Sequence, residues 1–455
     1  MKDKIRVNFI ILTRGRDRKY LGELKTYRTA PLTLAVLAGV TPPDVEVSIT
    51  DEAVEAIDYN ANVDIVGITL ILPFALRGYQ IAQKFRERGV KVVLGGPHPS
   101  IMPDEAIEYA DSVVIGEGDT VWPTLIEDYK KGNLQRFYRN SKPMDLTGLP
   151  IPRRDLFKAS KYMILNSTYA TRGCTYTCEF CSIKKMISDY RTRPIPEVVQ
   201  EIDSFGGNRF HRKHFILWDD NLVGNRDYAK KFFNELAPLN KTWFGQGTIK
   251  IGEDEELTKI ASKSGCKGFF IGLESFEDET LIGMNKKSNK VEKYKDSIKR
   301  LHDHGIFLIT GIMVGFDHDK KDVFEKTLEM LISLNIDDIA CYIVTPIPKT
   351  PLFNRLESEG RLLHRDWSKY DQNRAVFKPK NMTVDELEYG FHWLRKEFYS
   401  MSSIAKRVIS SHTFPFVVFP MNLVGRKYTK DVIKVEKEKN PLIGGKTLPS
   451  LVQLR

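Results

Sequence analysis

The stretch Cys174-Thr-Tyr-Thr-Cys178-Glu-Phe180-Cys181 places three cysteines within eight positions. Their spacing is C-x3-C-x2-C, with an aromatic residue directly before the last cysteine. Three thiolates can hold three irons of a 4Fe–4S cluster and leave the fourth iron open, whereas a fourth thiolate would close the cluster. Structural zinc prefers four Cys or His ligands, and the nearest histidine is His211. The pattern therefore favours an open iron–sulfur cluster over a zinc site or three incidental core cysteines.

The cysteine stretch follows the first strand of a run of six βα units. We predict the strands of this run at residues 167–171, 214–218, 243–249, 268–273, 307–314 and 339–344, with helices at 196–205, 227–236, 255–264, 290–304 and 320–334. Such a run predicts a partial (β/α)6 barrel. In α/β barrels the site lies at the carboxyl ends of the strands.

The N-terminal part of the chain alternates short apolar strands with helices. The strands are predicted at residues 5–12, 45–50, 63–70, 90–94 and 112–115. Continuous apolar strands between helices are typical of a parallel sheet that is covered on both faces. The fold class is therefore α/β. We expect a Rossmann-like sheet domain at 1–135, a proline-containing linker at 136–165, the barrel at 166–345 and a mainly helical C-terminal lid or tail at 346–455.

Composition and charge narrow the class of protein. The chain has 455 residues and a formal charge of +10, and the last 55 residues, with ten Lys or Arg and three Asp or Glu, carry +7 of it. No apolar run is long enough to span a bilayer, and the N-terminus lacks a cleavage site for secretion. Five cysteines make a disulfide framework a poor fit. These features are typical of a cytoplasmic enzyme.

The cysteine motif, placed after the first strand of a βα barrel, resembles that of the radical S-adenosylmethionine (SAM) superfamily. The resemblance implies that the open iron binds the amino and carboxylate groups of SAM. One electron from the cluster would then cleave the sulfonium to methionine and a 5′-deoxyadenosyl radical. That radical would abstract a hydrogen atom from an unactivated position.

The same resemblance assigns the residues at the ends of the barrel strands to SAM binding. These residues are Phe180, Asp219, Asp220, Gln246, Glu274, Ser275, Met313 and Val314. The alternative is that acidic residues and glycines only close the strands, because turns favour them. Cys266 and Cys341 are interpreted as small buried hydrophobic residues.

Two glycine-rich turns follow strands of the N-terminal sheet, at Gly95-Gly96-Pro97-His98 and at Gly116-Glu117-Gly118. Glycine at a strand end lets a ligand approach the backbone closely, at the edge where open sheets bind cofactors. Together with the barrel, these turns resemble the cobalamin-binding subclass of radical SAM enzymes. The resemblance implies that Gly95, Gly96, His98, Gly116, Glu117 and Gly118 contact a corrinoid.

Other motifs are absent from the N-terminal part. The D-x-H-x-x-G motif, whose histidine ligates cobalt in other cobalamin domains, does not occur, so we expect cobalt without a protein histidine ligand. His98 is not assigned to the metal, and a domain that has lost cobalamin remains an alternative. No G-x-G-x-x-G follows the first strand, which disfavours NAD and FAD. Residues 1–165 contain no cysteine, which excludes a methylthiotransferase with a second cluster.

The predicted reaction is C-methylation of an unactivated carbon in a small or amphiphilic metabolite, such as an isoprenoid, a hopanoid or a tetrapyrrole. The alternatives are radical cyclisation, rearrangement or oxygen insertion without methyl transfer, and a non-catalytic redox or SAM-sensing role. An electron donor such as flavodoxin or ferredoxin is an expected partner, whereas no nucleic-acid module is evident. The basic tail, with its apolar segment 414–425, could contact an anionic membrane or pack as a hydrophobic plug.

Overall fold

The structure is a computed structural model that describes residues 4–13, 28–409 and 415–437. The chain divides into two compact units. Unit 1 comprises residues 1–174, 182–220 and 366–368, and unit 2 comprises residues 175–181, 221–365 and 369–455. The predicted domains are continuous segments that end after residues 135, 165 and 345, whereas each compact unit combines several segments. The predicted boundaries stay predictions. Across the described ranges, no helix is both long enough and apolar enough to cross a membrane.

Unit 1 is built on a parallel sheet of six described strands. They are β1 (Ile5–Ile11), β2 (Val45–Asp51), β3 (Ile65–Thr69), β4 (Lys91–Gly95), β5 (Ser112–Ile115) and β6 (Phe137–Arg139). The strand order is β2-β1-β3-β4-β5-β6, and the ladders β2–β1, β1–β3, β3–β4 and β4–β5 are all parallel. Strands β3 and β5 bury apolar side chains on both faces, which requires helices on both sides of the sheet. This architecture confirms the predicted Rossmann-like fold.

Strand β6 lies inside the segment that we predicted to be a linker. It pairs in parallel with β5, from Val113↔Phe137 to Ile115↔Arg139. Tyr138 is buried, and its hydroxyl donates to Asp128 at 2.8 Å. A strand of three residues with a single buried side chain carries no periodicity that the sequence could reveal.

The helices of unit 1 lie between these strands and after them. They are Leu32–Val40, Ala75–Arg86, Pro97–Ile101, Pro103–Ala106, Gly118–Lys130, Ile183–Met186, Ile195–Asp203 and Arg209–Lys213. The apolar sides of helices Leu32–Val40 and Gly118–Lys130 pack on the sheet in one core that contains Phe9, Leu34, Trp122 and Leu125. The short helix Pro103–Ala106 is followed directly by a 3-10 turn over Ile107–Tyr109.

Unit 1 also contains four further short strands. Strands β7 (Asn166–Thr168) and β10 (His214–Leu217) pair in parallel. Strands β8 (Thr171–Arg172) and β9 (Arg191–Thr192) form a small antiparallel ladder.

Unit 2 contains the strands β11 (Thr242–Gly247), β12 (Cys266–Glu274), β13 (Phe307–Val314) and β14 (Asp338–Ile343). They are neighbours in chain order and all parallel. Helices connect and follow them: Arg226–Leu236, Lys250–Glu253, Glu255–Lys263, Asp278–Gly283, Tyr294–Asp303, Val323–Ser333 and Pro351–Ser358. Strands β7 and β10 to β14 thus alternate with helices along the chain, which confirms the predicted partial (β/α)6 barrel.

The C-terminal extension is mainly helical, as predicted. Its helices are Val384–Phe398, Met401–Ile409 and Pro415–Lys437. The first of them begins with a capping box in which Thr383 and Glu386 each accept the other's backbone N–H. The described part of the apolar segment 414–425 is the start of a continuous helix with Pro420 inside it, while residue 414 lies outside the described residues.

Candidate active site and cofactor cavity

A cavity of ≈ 510 Å³ opens in unit 1 at the carboxyl ends of the sheet strands. Its walls include Gly67 to Thr69 from β3 and the turns after β4 and β5. The segment from Thr29 to Leu37 covers a further side. Crevices at this edge are where open α/β sheets bind their ligands, and the volume lies within the usual range for small-molecule sites.

The glycine turns shape this cavity. Gly96 has φ +91° and Gly116 has φ +81°, both in the left-handed region that glycine adopts without strain. A Cβ on Gly96 would lie 2.5 Å from Thr69 Oγ1 and 3.1 Å from the Leu70 backbone N. The turn can therefore pass close to β3 only as glycine. Of the six residues predicted to contact a corrinoid, five line the cavity: Gly95, Gly96, Gly116, Glu117 and Gly118.

His98 is the exception, because it does not line the cavity. Its side chain is 1% exposed, and its Nε2 lies 2.8 Å from Tyr79 Oη and 3.1 Å from Glu105 Oε1. Glu105 also accepts a hydrogen bond from Trp367 Nε1 at 3.0 Å. His98 thus belongs to a polar cluster within unit 1 that holds residue 367 to the sheet domain. The predicted contact of His98 with a corrinoid stays a prediction.

One wall of the cavity is strongly charged. Arg172 donates to Asp119 at 2.6 Å and to Glu117 at 2.9 Å, and its guanidinium lies 4.4 Å from the ring centroid of Tyr169. Arg191 binds the other oxygen of Glu117 at 2.8 Å. Burial disfavours the charge on Arg172, but Tyr169 and the two carboxylates raise its pKa above the ordinary arginine value. The pairs therefore stay ionised beside the cavity.

The apolar walls and the glycine cradle fit part of a corrinoid. Phe9, Val36, Leu37 and Trp122 supply apolar surface, and Trp218 lines the cavity although 46% of it is exposed. Amide and phosphate groups of such a ligand could meet the polar side chains of the charged wall. The residues present are therefore compatible with cobalamin as the occupant.

Asp219 and Asp220, at the end of β10, hold the backbone that precedes Cys174. Asp219 Oδ1 accepts from the amides of Ala170 at 3.1 Å and Thr171 at 2.5 Å. Its other oxygen is buried without a hydrogen-bond partner in the structure, and burial raises the pKa of Asp219 to about 7. Asp220 accepts from the amide of Gly173 at 2.9 Å and lines the cavity; burial also raises its pKa. Both carboxylates thus have local structural partners, and their predicted contact with SAM stays a prediction.

The three motif cysteines are divided between the units. Cys174 closes a segment of unit 1, while Cys178 and Cys181 belong to unit 2. All three are partly exposed, and none of the five cysteines of the chain is in a disulfide. This donor set matches an iron–sulfur cluster with one open iron. In the part of the chain that the structure describes, no three His, Cys, Asp or Glu side chains are arranged around a common metal position.

Contacts within unit 2 hold the segment that carries Cys178 and Cys181. The amide of Cys181 donates to the carbonyl of Cys178 at 3.1 Å, and the amide of Glu179 donates to the carbonyl of Met284 at 2.9 Å. The Glu179 carboxylate accepts from Arg355 at 2.8 Å. These bonds fix the turn between the two cysteines against a loop and a helix of the same unit.

Glu274 ends β12 in an unusual conformation. Its φ is +67°, and the register between β12 and β13 shifts between Gly272 and Glu274. Its Oε1 accepts from Lys286 Nζ at 2.8 Å. Burial disfavours the charge on Lys286, but Glu274 raises its pKa above the ordinary value, and the thiols of Cys178 and Cys181 add to that effect. Lys286 also lies 5.9 Å from the Phe180 ring centroid.

The remaining candidates for SAM binding lie at the ends of neighbouring strands in unit 2. Gln246 is in β11, Ser275 directly follows β12, and Met313 and Val314 end β13. Ser275 Oγ accepts from the amide of Glu277 at 3.1 Å, and Val314 is fully buried. The parallel order β11-β12-β13 brings these positions to one edge, which supports the prediction without testing the contacts.

Sequence reasoning missed several residues of these sites. Arg172 and Asp119 are 53 positions apart, and neither belongs to a motif that indicates an ion pair. Lys286 follows a helix and carries no signal of its own. Only the position of Arg172, next to Gly173 and Cys174, could have drawn attention to it.

Comparison with known proteins agrees with this arrangement. The family model described as Radical SAM superfamily matches residues 168–331, the B12 binding domain model matches residues 29–126, and a domain of unknown function (DUF4070) matches residues 350–413. The bacteriochlorophyllide d C-12(1)-methyltransferase of Chlorobaculum tepidum is 30% identical over 412 residues, which are 88% of this chain and 90% of that relative. The chain belongs to the cobalamin-binding radical SAM superfamily. It is accordingly a radical SAM enzyme, and its cofactors are a 4Fe–4S cluster, SAM and cobalamin.

Other members of the superfamily are similar over most of this chain. The hopanoid C-2 methylase of Rhodopseudomonas palustris is 27% identical and covers 74% of this chain and 66% of its own length. Among solved structures, the methyltransferase TsrM from Kitasatospora setae superposes with a TM-score of 0.68 at 14% identity, over 95% of this chain and 99% of TsrM. The cobalamin-dependent enzyme OxsB gives a TM-score of 0.69 at 14% identity, over 95% of this chain and 72% of OxsB. These two likenesses support the fold.

Proposed function

We propose that this protein methylates an unactivated carbon of an amphiphilic metabolite, with a chlorin or a polycyclic lipid as the leading substrate class. The observation that carries the proposal is the combination, in one chain, of a glycine-cradled cavity at the sheet edge with a three-thiol loop that follows the first strand of a βα barrel. The substrate class is supported by relatives whose names specify a bacteriochlorophyllide and a hopanoid.

The overall reaction balances with two molecules of SAM and two electrons. The substrate C–H bond breaks and a C–CH₃ bond forms. One SAM becomes S-adenosylhomocysteine as it supplies the methyl group, and the other becomes methionine and 5′-deoxyadenosine, which takes the substrate hydrogen. The electrons come from a low-potential one-electron donor such as reduced flavodoxin or ferredoxin. When bound, the cluster would supply the electron that cleaves SAM, and the corrinoid would carry the methyl group.

The residues of the chain have separate tasks in this scheme. Cys174, Cys178 and Cys181 provide the thiolates for the cluster. Glu274 at the end of β12 and Lys286 form a buried pair of opposite charges, and groups of this kind can recognise the ammonium and carboxylate ends of SAM. The cavity of unit 1 keeps water from a ligand bound against its apolar wall.

The test is anaerobic turnover with a chemical reductant and SAM that carries a CD₃ methyl group. A chlorin and a hopanoid are offered as separate substrates. We expect 5′-deoxyadenosine, S-adenosylhomocysteine and a product in which one hydrogen is replaced by CD₃. A variant with Cys178→Ala should form none of the three, while Cys341→Ala, a buried cysteine away from the motif, should retain the activity.

The same assay separates methyl transfer from cyclisation. The anaerobic magnesium-protoporphyrin IX monomethyl ester cyclase of Cereibacter sphaeroides is 29% identical over 375 residues, although the chain covers only 60% of that relative. An unlabelled product that has lost hydrogen or gained oxygen would refute methylation and favour this second reaction. Before turnover, reconstituted protein should contain about four irons and one corrinoid per chain.

A further inference from the structure

The helix Pro415–Lys437 has an inner face that is firmly attached to unit 2. Val418, Asn422 and Thr429 are buried there. Asn422 Nδ2 donates to the Asp337 carbonyl at 2.8 Å, and Asn422 Oδ1 accepts from Arg407 at 2.8 Å. These hydrogen bonds fix the rotation of the helix about its own axis. The opposite face is therefore presented to solvent in a defined orientation.

That opposite face carries a stripe of exposed side chains with helical spacing. Phe416 is 92% exposed, and Phe419 and Leu423 are each 39% exposed. The next exposed positions at the same spacing are lysines. We call this surface the outer stripe, and it consists of Phe416, Phe419, Leu423, Lys427, Lys430 and Lys434.

The outer stripe changes character once along its length. Its first part, from Phe416 to Leu423, is apolar over about 10 Å of helix, and Val417 beside it is 47% exposed. Its second part, of similar length, exposes Lys427, Lys430 and Lys434, with the partly exposed Asp431 beside them. Exposed apolar groups that occur singly need no explanation, but a contiguous apolar stretch beside polar residues marks an interaction surface. The fixed rotation of the helix rules out burial of this stretch by a simple roll.

An anionic lipid surface complements both parts of the stripe. Aromatic and leucine side chains of an interfacial helix enter the boundary between headgroups and acyl chains. Lysine side chains extend toward the phosphates while their methylene groups remain against the apolar layer. We propose that the outer stripe docks this protein on the surface of a bilayer that contains anionic phospholipids. The proposal does not depend on which reaction the enzyme catalyses.

The experiment is co-sedimentation of the full chain with phosphatidylcholine vesicles, prepared with and without phosphatidylglycerol. We expect binding to the anionic vesicles, and a loss of binding as salt is raised. Each lysine near such a surface contributes roughly a fivefold factor in partitioning, so Lys427, Lys430 and Lys434 changed together to Gln should weaken binding roughly 100-fold. Phe416→Ser combined with Phe419→Ser should weaken it more than tenfold.

Matched controls come from other exposed surfaces of unit 2. Lys259, Lys263 and Lys295 are exposed on other helices, and changing them together to Gln removes the same charge. Ile282, which is 79% exposed, provides an apolar control as Ile282→Ser. Both controls should bind anionic vesicles as the unchanged protein does. Equal losses in the controls and in the stripe variants would refute the proposal.

A second readout reports the position of the stripe directly. In a Phe416→Trp variant, the tryptophan emission should shift to shorter wavelength on addition of anionic vesicles and stay unchanged with phosphatidylcholine alone. Binding that is equal for both vesicle types would contradict the proposal, as would an absence of binding. Concentration-dependent dimerisation without vesicles that is lost in the Phe416→Ser variant would also contradict it, and would assign the stripe to a second copy of the chain.

Discussion

Replacement of Arg172 by methionine tests whether the charged wall of the cavity holds the segment ahead of the first motif cysteine. Arg172 is paired with Asp119 and Glu117, and the three side chains are 13%, 4% and 10% exposed. The next residue, Gly173, donates its amide to Asp220. Methionine keeps much of the length and the apolar contact of arginine but removes the charge that pairs with Asp119, while Glu117 keeps its pair with Arg191.

The expected cost follows from burial. Removing one partner of a buried ion pair costs about 3–5 kcal/mol, because the remaining charge is left uncompensated. Since these side chains are almost fully buried, little of this cost is relieved by solvent. At 1.36 kcal/mol for each factor of ten, the local opening of the segment should become roughly 100- to 5,000-fold more frequent. Arg153, which pairs with Asp155 at a site where the two side chains are 48% and 60% exposed, provides the matched control, since exposed pairs contribute about 0–1 kcal/mol.

The assay is hydrogen exchange of the full chain under anaerobic conditions. In the Arg172→Met variant, the amide of Gly173 should exchange at least 100-fold faster, whereas Arg153→Met should change that rate by less than about fivefold. Arg172→Lys should fall between them, because lysine keeps the charge but loses the two-pronged geometry. An Arg172→Met rate within fivefold of the unchanged protein would refute the reasoning that this ion pair holds the segment.

Three further predictions concern single sites. Burial raises the pKa of Asp219 from 3.8 to about 7, so the unchanged protein loses stability as the pH rises through that interval. Relative to it, Asp219→Asn should gain up to about 4 kcal/mol in free energy of unfolding between pH 4 and pH 8, measured by urea denaturation. A difference between the two proteins that does not depend on pH would contradict this. Gly96→Ala should weaken hydroxocobalamin binding at least tenfold in a spectroscopic titration. The control Gly132→Ala should leave binding unchanged, since Gly132 also has a positive φ (+69°) but no atom lies within 4 Å of a Cβ at that position. Equal effects of the two substitutions would point to backbone strain alone. Lys286→Met should lower the free energy of unfolding by about 3–5 kcal/mol, because Glu274 is left without its partner. Adding Glu274→Gln should recover most of that loss in a double-mutant cycle, and strictly additive effects of the two substitutions would contradict a coupled pair.

Some parts of this fold could be predicted because the signal is local. Short runs such as Ile65–Thr69 and Lys91–Gly95 are apolar and flanked by helical patterns, and the structure has strands there. The glycines after β4 and β5 were predicted to line a cofactor site because they follow strands of an open sheet, and they do line the cavity.

Other parts could not be predicted because they depend on pairing across the chain. The contact of Arg172 with Asp119 exists only once β8 lies beside the turn after β5, and the spacing of the two residues does not reveal it. The position of His98 in the turn after β4 does not reveal that its side chain contacts Tyr79 and Glu105. Glu274 has a left-handed backbone conformation at the register shift between β12 and β13. No residue type in this stretch predicts such a shift.

The interleaved composition of unit 1 has a consequence for biosynthesis. Its sheet is complete once residue 139 has been made, but Tyr169, Met186 and Trp218, which finish the cavity, are synthesised later, and Trp367 later still. At about 5–20 residues per second, the ribosome needs roughly 10–45 s to pass from the last sheet strand to Trp367. During that time the apolar wall of the cavity lacks part of its cover. Slow elongation or a shortage of chaperones should therefore reduce the yield of native enzyme before any cofactor is inserted.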